Sequence, residues 1–206
     1  MHYVSSLLLA AGRSTRMGLL KGLLPWQGKP LIEWQIMQLQ QSLIDDIIVI
    51  LGYKAEQYEP LLQPYKVKTV INSVYNQGKT SSILKGLKAV TPKTEEILIA
   101  AVDQPLNVNT INHMIRYMKH SGKAIVIPVH RGKRGHPILF SASLMKALSN
   151  INENTKGLKH VIRTYSEQIA EMDTDDSYVL FNFNYPRDYV SARNVQKEDR
   201  HAYTRD

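Results

Sequence analysis

A polar loop near the start of the chain carries residues that could bind phosphate. It covers Ala11–Lys21 and follows the apolar run Tyr3–Ala10. Small residues in such a turn let consecutive backbone N–H groups point at an anion without side chains in the way. Arg13, Arg16 and Lys21 add positive charge around the same hollow. The combination suits a triphosphate better than a single phosphate, and the alternative is a strand-to-helix connection with solvated cations.

Two familiar nucleotide-binding motifs are absent from this sequence. The loop is not a G-x-G-x-x-G turn, because Ser14 occupies the position of the second glycine. Gly78-Lys79-Thr80 resembles the end of a P-loop, but Ser73 stands where that motif needs its first glycine. We therefore reject both motifs.

Asp103 is the acidic residue best placed to bind a metal. It follows the apolar run Ile97–Val102 and precedes Gln104-Pro105. A carboxylate at the end of a buried strand is a good ligand for Mg²⁺, which prefers hard oxygens and keeps several waters. The alternative is an ordinary turn aspartate or a helix N-cap.

Alternating strand and helix patterns would position these loops. Strands are predicted at Tyr3–Ala10, Ile47–Leu51, Val67–Ile71, Ile97–Val102, Ala124–Val129, Ile138–Phe140, Ile169–Met172 and Val179–Asn184. Helices are predicted from Pro30 to Leu39 and at Ala55–Leu62, Ser81–Val90, Asn109–His120, Leu144–Leu148, Leu158–Tyr165 and Pro186–Asn194. The alternation predicts a Rossmann-like, three-layer α/β/α fold with a mostly parallel sheet. Ligands in such sheets bind outside the carboxyl ends of the strands, so the loops at Ala11, Asn72, Asp103 and His130 are the places for chemistry.

Composition narrows the class of protein. A length of 206 residues suits one domain, and the absence of cysteine excludes disulfide scaffolds, thiolate zinc sites, iron–sulfur clusters and cysteine nucleophiles. The formal net charge of +8 indicates an anionic partner, but no nucleic-acid-binding pattern accompanies the scattered basic residues. Met1–Ala11 lacks a basic n-region, and the longest strongly apolar run, Ile47–Leu51, is too short to cross a bilayer. We therefore expect a cytoplasmic protein that binds neither nucleic acid nor membrane.

Several segments match, in order, the motifs of one known family. They are Leu9–Lys21, Leu23-Leu24-Pro25, Gly28-Lys29-Pro30-Leu31, Asn72 with Tyr75-Asn76-Gln77-Gly78 and Ser81-Ser82, Asp103-Gln104-Pro105, Arg134-Gly135-His136-Pro137, and Phe183-Asn184-Tyr185-Pro186 with Asp188. Over nearly its whole length the chain therefore resembles the molybdenum-cofactor nucleotidyltransferases. Ala10-Ala11 resembles the cytidylyltransferase branch, whereas the guanylyltransferase branch usually shows Ala-Gly-Gly there.

The resemblance implies transfer of CMP from CTP to molybdenum-bound molybdopterin, with release of pyrophosphate. A phosphate oxygen of the acceptor would attack the α-phosphorus, and Mg²⁺ would be the cofactor. We assign a single nucleotidyltransferase domain to residues 1–195, with a nucleotide-binding half at 1–105 and an acceptor-binding half at 106–195, and a polar tail to 196–206. A molybdoenzyme or its insertion chaperone would be a further partner.

The same resemblance gives roles to individual residues. The catalytic candidates are Lys21 for the α-phosphate, Arg16 for the departing pyrophosphate and Asp103 for the metal, with Asn184 as a second metal ligand. The nucleotide-binding candidates are Leu9, Ala10, Ala11, Gly12, Arg13, Ser14, Lys21, Asn72, Gly78 and Ser82. The acceptor-binding candidates are Gln104, Arg134 and His136. The plainer alternatives are a turn glycine at Gly78, a first-turn helical residue at Ser82 and a turn of solvated charges around His136.

The chain also departs from the family pattern. Leu20 replaces the proline or aspartate common before the lysine, and Gly22 follows the lysine where a longer residue is usual. Near Asn154–Lys159 the family often shows Gly-Asp-x-Gly-Ala-Arg, to which only Gly157-Leu158-Lys159 is similar. That segment lies in the acceptor half, so the identity of the acceptor stays open. Other functions also remain as alternatives. They are a sugar or methylerythritol phosphate as acceptor, GTP as donor, or a cofactor carried without catalysis.

Overall fold

The computed structural model describes the backbone of residues 2–203 and the side-chain surroundings of residues 2–195. Its strands are β1 Val4–Ala10, β2 Pro25–Trp26, β3 Lys29–Pro30, β4 Asp46–Leu51, β5 Lys68–Ile71, β6 Glu96–Ala101, β7 Ile125–His130, β8 Lys133–Arg134, β9 Ile138–Ser141 and β10 Ile169–Asp173. Its α-helices are α1 Leu31–Gln40, α2 Glu59–Leu62, α3 Lys79–Leu87, α4 Val108–Ser121, α5 Met145–Ser149, α6 Leu158–Thr164 and α7 Pro186–Tyr203.

One mixed sheet carries strands from both predicted halves of the chain. Its order is β10-β7-β9-β6-β1-β4-β5, and β8 pairs with β7 at the side. β1 is parallel to β4 and β6, β4 is parallel to β5, and β7 is parallel to β10. β9 is antiparallel to both β6 and β7. The link between β7 and β9 is too short for the crossover that parallel neighbours need, which explains why this pair is antiparallel. The predicted mostly parallel sheet is confirmed.

Helices cover both faces of this sheet. Every residue of β1, β4 and β6 is buried, as expected for strands packed on two sides. Leu8 enters a hydrophobic cluster with Ile36 of α1 and Ile111 of α4. Its neighbour Leu7 points to the other face and enters a cluster with Ile83 of α3. The predicted three-layer, Rossmann-like arrangement is therefore confirmed.

Local sequence signals account for the ends of several helices. Pro30, with its fixed φ, directly precedes α1. Asn107 caps α4, since its side chain accepts a hydrogen bond of 2.9 Å from the backbone N–H of Asn109. Gly122, at φ 63°, ends the same helix in the left-handed conformation that glycine adopts easily.

The C-terminal segment differs from the prediction. Residues 179–184 form no strand, because Ser177–Leu180 is a 3-10 turn and extended backbone outside the sheet follows it. Phe183 is fully buried and its ring centroid lies 5.3 Å from that of Trp26 in the β2–β3 hairpin. The predicted late strand is therefore wrong: Phe181 and Phe183 belong to a separate small cluster, not to the sheet.

The last helix begins at Pro186 as predicted. Its backbone continues to Tyr203, beyond Asn194, where the sequence pattern ended. Residues 204–206 of the predicted polar tail lie outside the described residues.

Candidate nucleotide-binding and catalytic site

A cavity of about 350 Å³ opens at the carboxyl ends of β1 and β6. Most of the residues predicted for the site line it: Leu9, Ala10, Ala11, Gly12, Ser14, Arg16, Lys21, Gly78, Ser82, Asp103 and Asn184. Thr15, Tyr58, Tyr75, Lys79, Ala101 and Val102 complete the lining. The cavity thus lies at the edge of the sheet where open α/β folds bind ligands.

Lys21 is held between two oxygen atoms at the floor of the cavity. Its Nζ donates to Asp103 Oδ2 at 2.6 Å and to Asn184 Oδ1 at 3.3 Å. Arg16 Nη2 donates to the same amide oxygen at 3.2 Å. A carboxylate and an amide oxygen therefore converge on one cation, although 163 residues separate Lys21 from Asn184.

The same two oxygens fit a divalent metal. The ammonium of Lys21 already stands where a cation would bridge Asp103 and Asn184, and hard oxygens are what Mg²⁺ prefers. Within the part of the chain that the structure describes, Asp103 is the one acidic residue that lines the cavity. Mg²⁺ commonly binds one or two carboxylates and completes its shell with waters and substrate phosphates.

Asn184 is fixed beside Asp103 by the backbone around it. The backbone N–H of Phe183 donates to the Asp103 carbonyl at 3.0 Å. The N–H groups of Asn184 and Tyr185 donate to Asp188 Oδ2 at 3.0 and 2.8 Å, next to the start of α7. With the Phe183 ring buried against Trp26, the Asn184 amide has a defined position at the cavity.

The first loop is anchored on both sides of Lys21. Leu20 is buried in the cluster that contains α1. A Cβ on Gly22 would lie 2.7 Å from Cε1 of Tyr58 and 3.1 Å from Cγ2 of Val102. Burial raises the pKa of Tyr58 to about 12, against a smaller opposing effect of its hydrogen bond to the Gly22 backbone. The departures from the family pattern at Leu20 and Gly22 therefore have a packing reason, since Tyr58 fills the space that a longer residue would take.

Arg13 does not line the cavity. Its guanidinium lies 5.7 Å from the ring centroid of Tyr53 and 5.9 Å from that of Tyr75. These distances are typical of cation–π contacts. Arg13 therefore lies against a cavity-lining residue, Tyr75, whereas Arg16 and Lys21 line the cavity themselves.

Asn72 does not line the cavity, but it orients Ser82, which does. Its Oδ1 accepts from the backbone N–H of Val74 at 3.2 Å, which fixes the orientation of the amide. The amide nitrogen then donates to the hydroxyls of Ser81 and Ser82 at 2.9 and 3.0 Å. Because the Ser82 oxygen accepts this bond, its own hydrogen remains available as a donor.

The acceptor-binding candidates lie in different places. The pKa of His136 is lowered to about 4, mainly by burial and also by the charge of Lys79, while the charge of Asp103 opposes them. His136 therefore lies within electrostatic reach of two residues that line the cavity. Arg134 is half-exposed and pairs with Glu171 at 2.6 Å. Gln104 is buried, and its carbonyl accepts from Gln35 at 2.6 Å. None of the three, His136, Arg134 or Gln104, is among the residues that line the cavity.

Lys79 was missed as a site residue by the sequence analysis. It is the first residue of α3, it lines the cavity, and it remains accessible to solvent at the cavity mouth. Crowding by surrounding protein lowers its pKa, the charge of Asp103 raises it, and the charge of Lys21 lowers it. Its sequence signal is Gly78-Lys79-Thr80, in which a lysine directly follows a turn glycine and begins a helix, although the segment is not a P-loop.

The segment that departs most from the family pattern braces α3. Glu153 Oε1 accepts from the backbone N–H of Thr80 at 2.7 Å, at the first turn of the helix. A Cβ on Gly157 would lie 2.7 Å from Thr80 Oγ1, so the loop packs directly on this turn. The altered segment therefore supports the helix that presents Lys79 and Ser82.

Comparison with known proteins gives a consistent family match. Residues 6–170 match the model of the MobA-like NTP transferase domain. The molybdenum cofactor cytidylyltransferase of Escherichia coli is 26% identical, over 94% of this chain and 97% of the relative. The nicotine blue oxidoreductase of Paenarthrobacter nicotinovorans is 29% identical, over 84% and 88%. A probable molybdenum cofactor guanylyltransferase of Nostoc is 26% identical, over 91% and 89%.

Solved structures share the fold. A Mycobacterium tuberculosis protein covers 92% of this chain and 96% of its own, with TM-score 0.81 and 23% identity. A further structure of that protein is a complex with manganese, with TM-score 0.76 and 22% identity. A nucleotidyl transferase from Methanothermobacter covers 94% and 97%, with TM-score 0.80 and 24% identity. Among the described residues, no helix is both long and apolar enough to cross a membrane.

Proposed function

This chain belongs to the MobA-like NTP transferase family, a family of nucleotidyltransferases, and on that premise we propose that it transfers CMP from CTP to molybdenum-bound molybdopterin. The observation that carries the proposal is the convergence of Lys21, Arg16, Asp103 and Asn184 in one cavity. Such a group can bind a triphosphate, neutralise its charge and accept a hard cation.

The chain's own residues supply positioning and charge stabilisation. A phosphate oxygen of the acceptor attacks the α-phosphorus of CTP while the bond from that phosphorus to the bridging β-oxygen breaks. Pyrophosphate then leaves, with Arg16 beside it. Lys21 can move from Asp103 to the α-phosphate because its ammonium sits on a flexible four-carbon stem. Mg²⁺ bound to Asp103 and Asn184 would offset the negative charge that develops on the phosphates.

Two observations support CTP as the donor. The relative with the highest coverage among those compared is named a cytidylyltransferase. Ala10-Ala11 at the end of β1 resembles the cytidylyltransferase branch, whereas the guanylyltransferase branch usually shows Ala-Gly-Gly there. The guanylyltransferase relative is equally identical, at 26%, so GTP is the alternative that the experiment must include.

The experiment is pyrophosphate release by the purified protein with Mg²⁺ and molybdenum-loaded molybdopterin. CTP, GTP and ATP are compared in parallel, and we expect release with CTP alone. Release with GTP alone would keep the reaction and overturn the choice of base. No release with any of the triphosphates would refute molybdopterin as the acceptor.

Asp103→Asn separates an enzyme from a non-catalytic carrier. The substitution removes a charge at the proposed metal site while it keeps the size of the side chain. We expect turnover to fall by at least about a hundred-fold, the scale of lost charge stabilisation in an active site. A carrier would bind the finished dinucleotide cofactor as tightly in this variant as in the wild type.

A further inference from the structure

Lys79 is a cavity cation that the proposed reaction has not yet used. Arg16 and Lys21 contact Asn184 and Asp103, whereas no ion pair of Lys79 occurs within residues 2–195. It is nevertheless one of the residues that line the cavity. A lysine so placed has room for an anionic ligand.

Lys79 lies where the predicted nucleotide-binding half and the predicted acceptor-binding half of the chain meet. Its charge interacts with Asp103, which follows β6, and with His136, which precedes β9. β6 and β9 are antiparallel neighbours, so these two side chains come from adjacent strands. Lys79 approaches them from α3, on the face of the sheet that also contains Ile83.

His136 offers a fixed and neutral partner at this junction. Its backbone N–H donates to the Val179 carbonyl at 2.8 Å, and the preceding Gly135 N–H donates to the Pro128 carbonyl at 2.7 Å. A Cβ on Gly135 would lie 2.5 Å from the Val179 carbonyl oxygen, so the turn packs tightly. With its pKa near 4, the imidazole is uncharged at neutral pH and can both donate and accept a hydrogen bond.

Attack on the α-phosphorus brings a second phosphate close to the triphosphate. If Lys21 and Arg16 serve the triphosphate, a further cation is needed on the acceptor's side to offset the repulsion between the two substrates. Of the described residues, Lys79 is the remaining cation of the cavity lining. Its ammonium is a compact point charge on a flexible stem, which suits a phosphate that must approach and react.

We propose that Lys79 binds the attacking phosphate of the acceptor, with His136 beside it, and that this phosphate enters between α3 and the turn before β9. The inference rests on the proposed nucleotidyl transfer and extends it to the acceptor subsite. A non-bridging phosphate oxygen forms the new bond to the α-phosphorus as pyrophosphate leaves. That oxygen is already ionised at neutral pH, so Lys79 acts as an electrostatic ligand and removes no proton.

The test uses inorganic phosphate as the probe. The full-length protein is saturated with Mg²⁺ and the α,β-methylene analogue of CTP or GTP, whichever binds more tightly, because these analogues cannot release pyrophosphate. Phosphate is then titrated while the imidazole signal of His136 is followed by NMR, assigned by its loss in His136→Asn. Lys79→Met is compared with Lys85→Met, which removes the same charge from an exposed position on the same helix.

We expect a saturable shift of the His136 signal in the wild type and in Lys85→Met. Lys79→Met should raise the apparent dissociation constant for phosphate at least about ten-fold, the scale of one charge-assisted hydrogen bond. Its affinity for the triphosphate analogue should change by less than about three-fold. An unchanged phosphate titration, the absence of a shift in the wild type, or a ten-fold loss of analogue affinity would each overturn the inference.

Turnover separates this inference from the proposed function. Lys79-dependent phosphate binding without turnover of molybdopterin would refute only the choice of acceptor. Turnover of molybdopterin with the same KM for the acceptor in wild type and Lys79→Met would refute only the role of Lys79.

Discussion

At the scale of single residues, Lys21, the proposed catalytic lysine, is positioned by the packing of its two neighbours in the chain. Leu20 is buried in the core on one side of Lys21, and Gly22 makes room for Tyr58 on the other. Because both neighbours are fixed by packing, the backbone of Lys21 is held while its long side chain remains able to move. Glycine is thus required at position 22 because Tyr58 lies too close for a side chain, and not because the backbone has a positive φ there.

Gly22→Ala should therefore destabilise the protein. The added methyl group would meet Cε1 of Tyr58 at 2.7 Å, and Tyr58 is 1% exposed and cannot swing into solvent. Overpacking of this kind costs about 1–3 kcal/mol of unfolding free energy, which urea denaturation would measure. Gly12→Ala is the matched control, since no atom lies within 4 Å of its added Cβ. Equal stability of the two variants would contradict this explanation of Gly22.

His136 should make the stability of the protein depend on pH. Its pKa is about 4 in the folded chain against 6.5 for the free side chain, so the unfolded state takes up a proton first as the pH falls. Its contribution is complete above pH 6.5, declines between pH 6.5 and 4, and is lost below that window. From pH 7 to pH 5, the loss from this residue is at most about 2 kcal/mol.

Urea denaturation at these two pH values measures that loss. His136→Asn should lose less stability than the wild type between pH 7 and 5. His113→Asn, at an exposed position, should behave as the wild type. The same pH dependence in wild type and His136→Asn would show that other groups cause it.

At the scale of elements, helix α3 connects the candidate site to a loop far along the chain. The helix presents Lys79 and Ser82 to the cavity. The side-chain amide of Asn72 donates a hydrogen bond to the Ser82 hydroxyl. Glu153, far along the chain, accepts the N–H of Thr80 at the first turn. A carboxylate in that position also interacts favourably with the positive end of the helix dipole.

Glu153→Ala should cost about 1 kcal/mol, the usual value of a lost helix cap. It should also weaken nucleotide binding, because the first turn of α3 carries cavity residues. Glu153→Gln keeps an oxygen acceptor and should retain most of the stability in urea denaturation. If Glu153→Ala unfolded at the same urea concentration as the wild type, the contact with Thr80 would have no structural importance.

At the scale of the whole molecule, the C-terminal segment completes the site. Phe183 packs against Trp26 in a cluster separate from the two faces of the sheet. This packing holds Asn184 at the cavity, where it accepts hydrogen bonds from Lys21 and Arg16. The candidate site therefore depends on contact between the β2–β3 hairpin and a segment more than 150 residues later.

Phe183→Ala should lower both stability and activity. Removal of a fully buried phenylalanine costs about 3–5 kcal/mol, and the loss of packing would free Asn184 to move away from Asp103. Val190→Ala is the control, since that side chain is 55% exposed on α7, and it should change stability by less than about 0.5 kcal/mol. Urea denaturation together with pyrophosphate release would measure both effects. Full activity of Phe183→Ala would contradict the role given to this cluster.

The sequence by itself determined the fold class and most of the cavity. Continuous apolar runs such as Ile47–Leu51 identify buried strands because those strands must be covered on both faces. The motif around Lys21 and the position of Asp103 after a strand then place both residues at one edge of the sheet, since parallel strands end together. These inferences need only local patterns and the periodicity of the chain.

Tertiary structure alone decided the rest, because it depends on contacts between residues far apart in sequence. The apolar residues of 179–184 could equally suit a strand, and only the presence of Trp26 draws Phe183 out of the sheet. Arg13 and Arg16 carry the same charge in the same loop, but Arg16 lines the cavity whereas Arg13 packs against Tyr53 and Tyr75. Lys79 becomes a site residue only because α3 packs beside β1 and brings its first turn near Asp103 and His136. A local pattern specifies which elements form, whereas the free energy of packing determines which side chains they bring together.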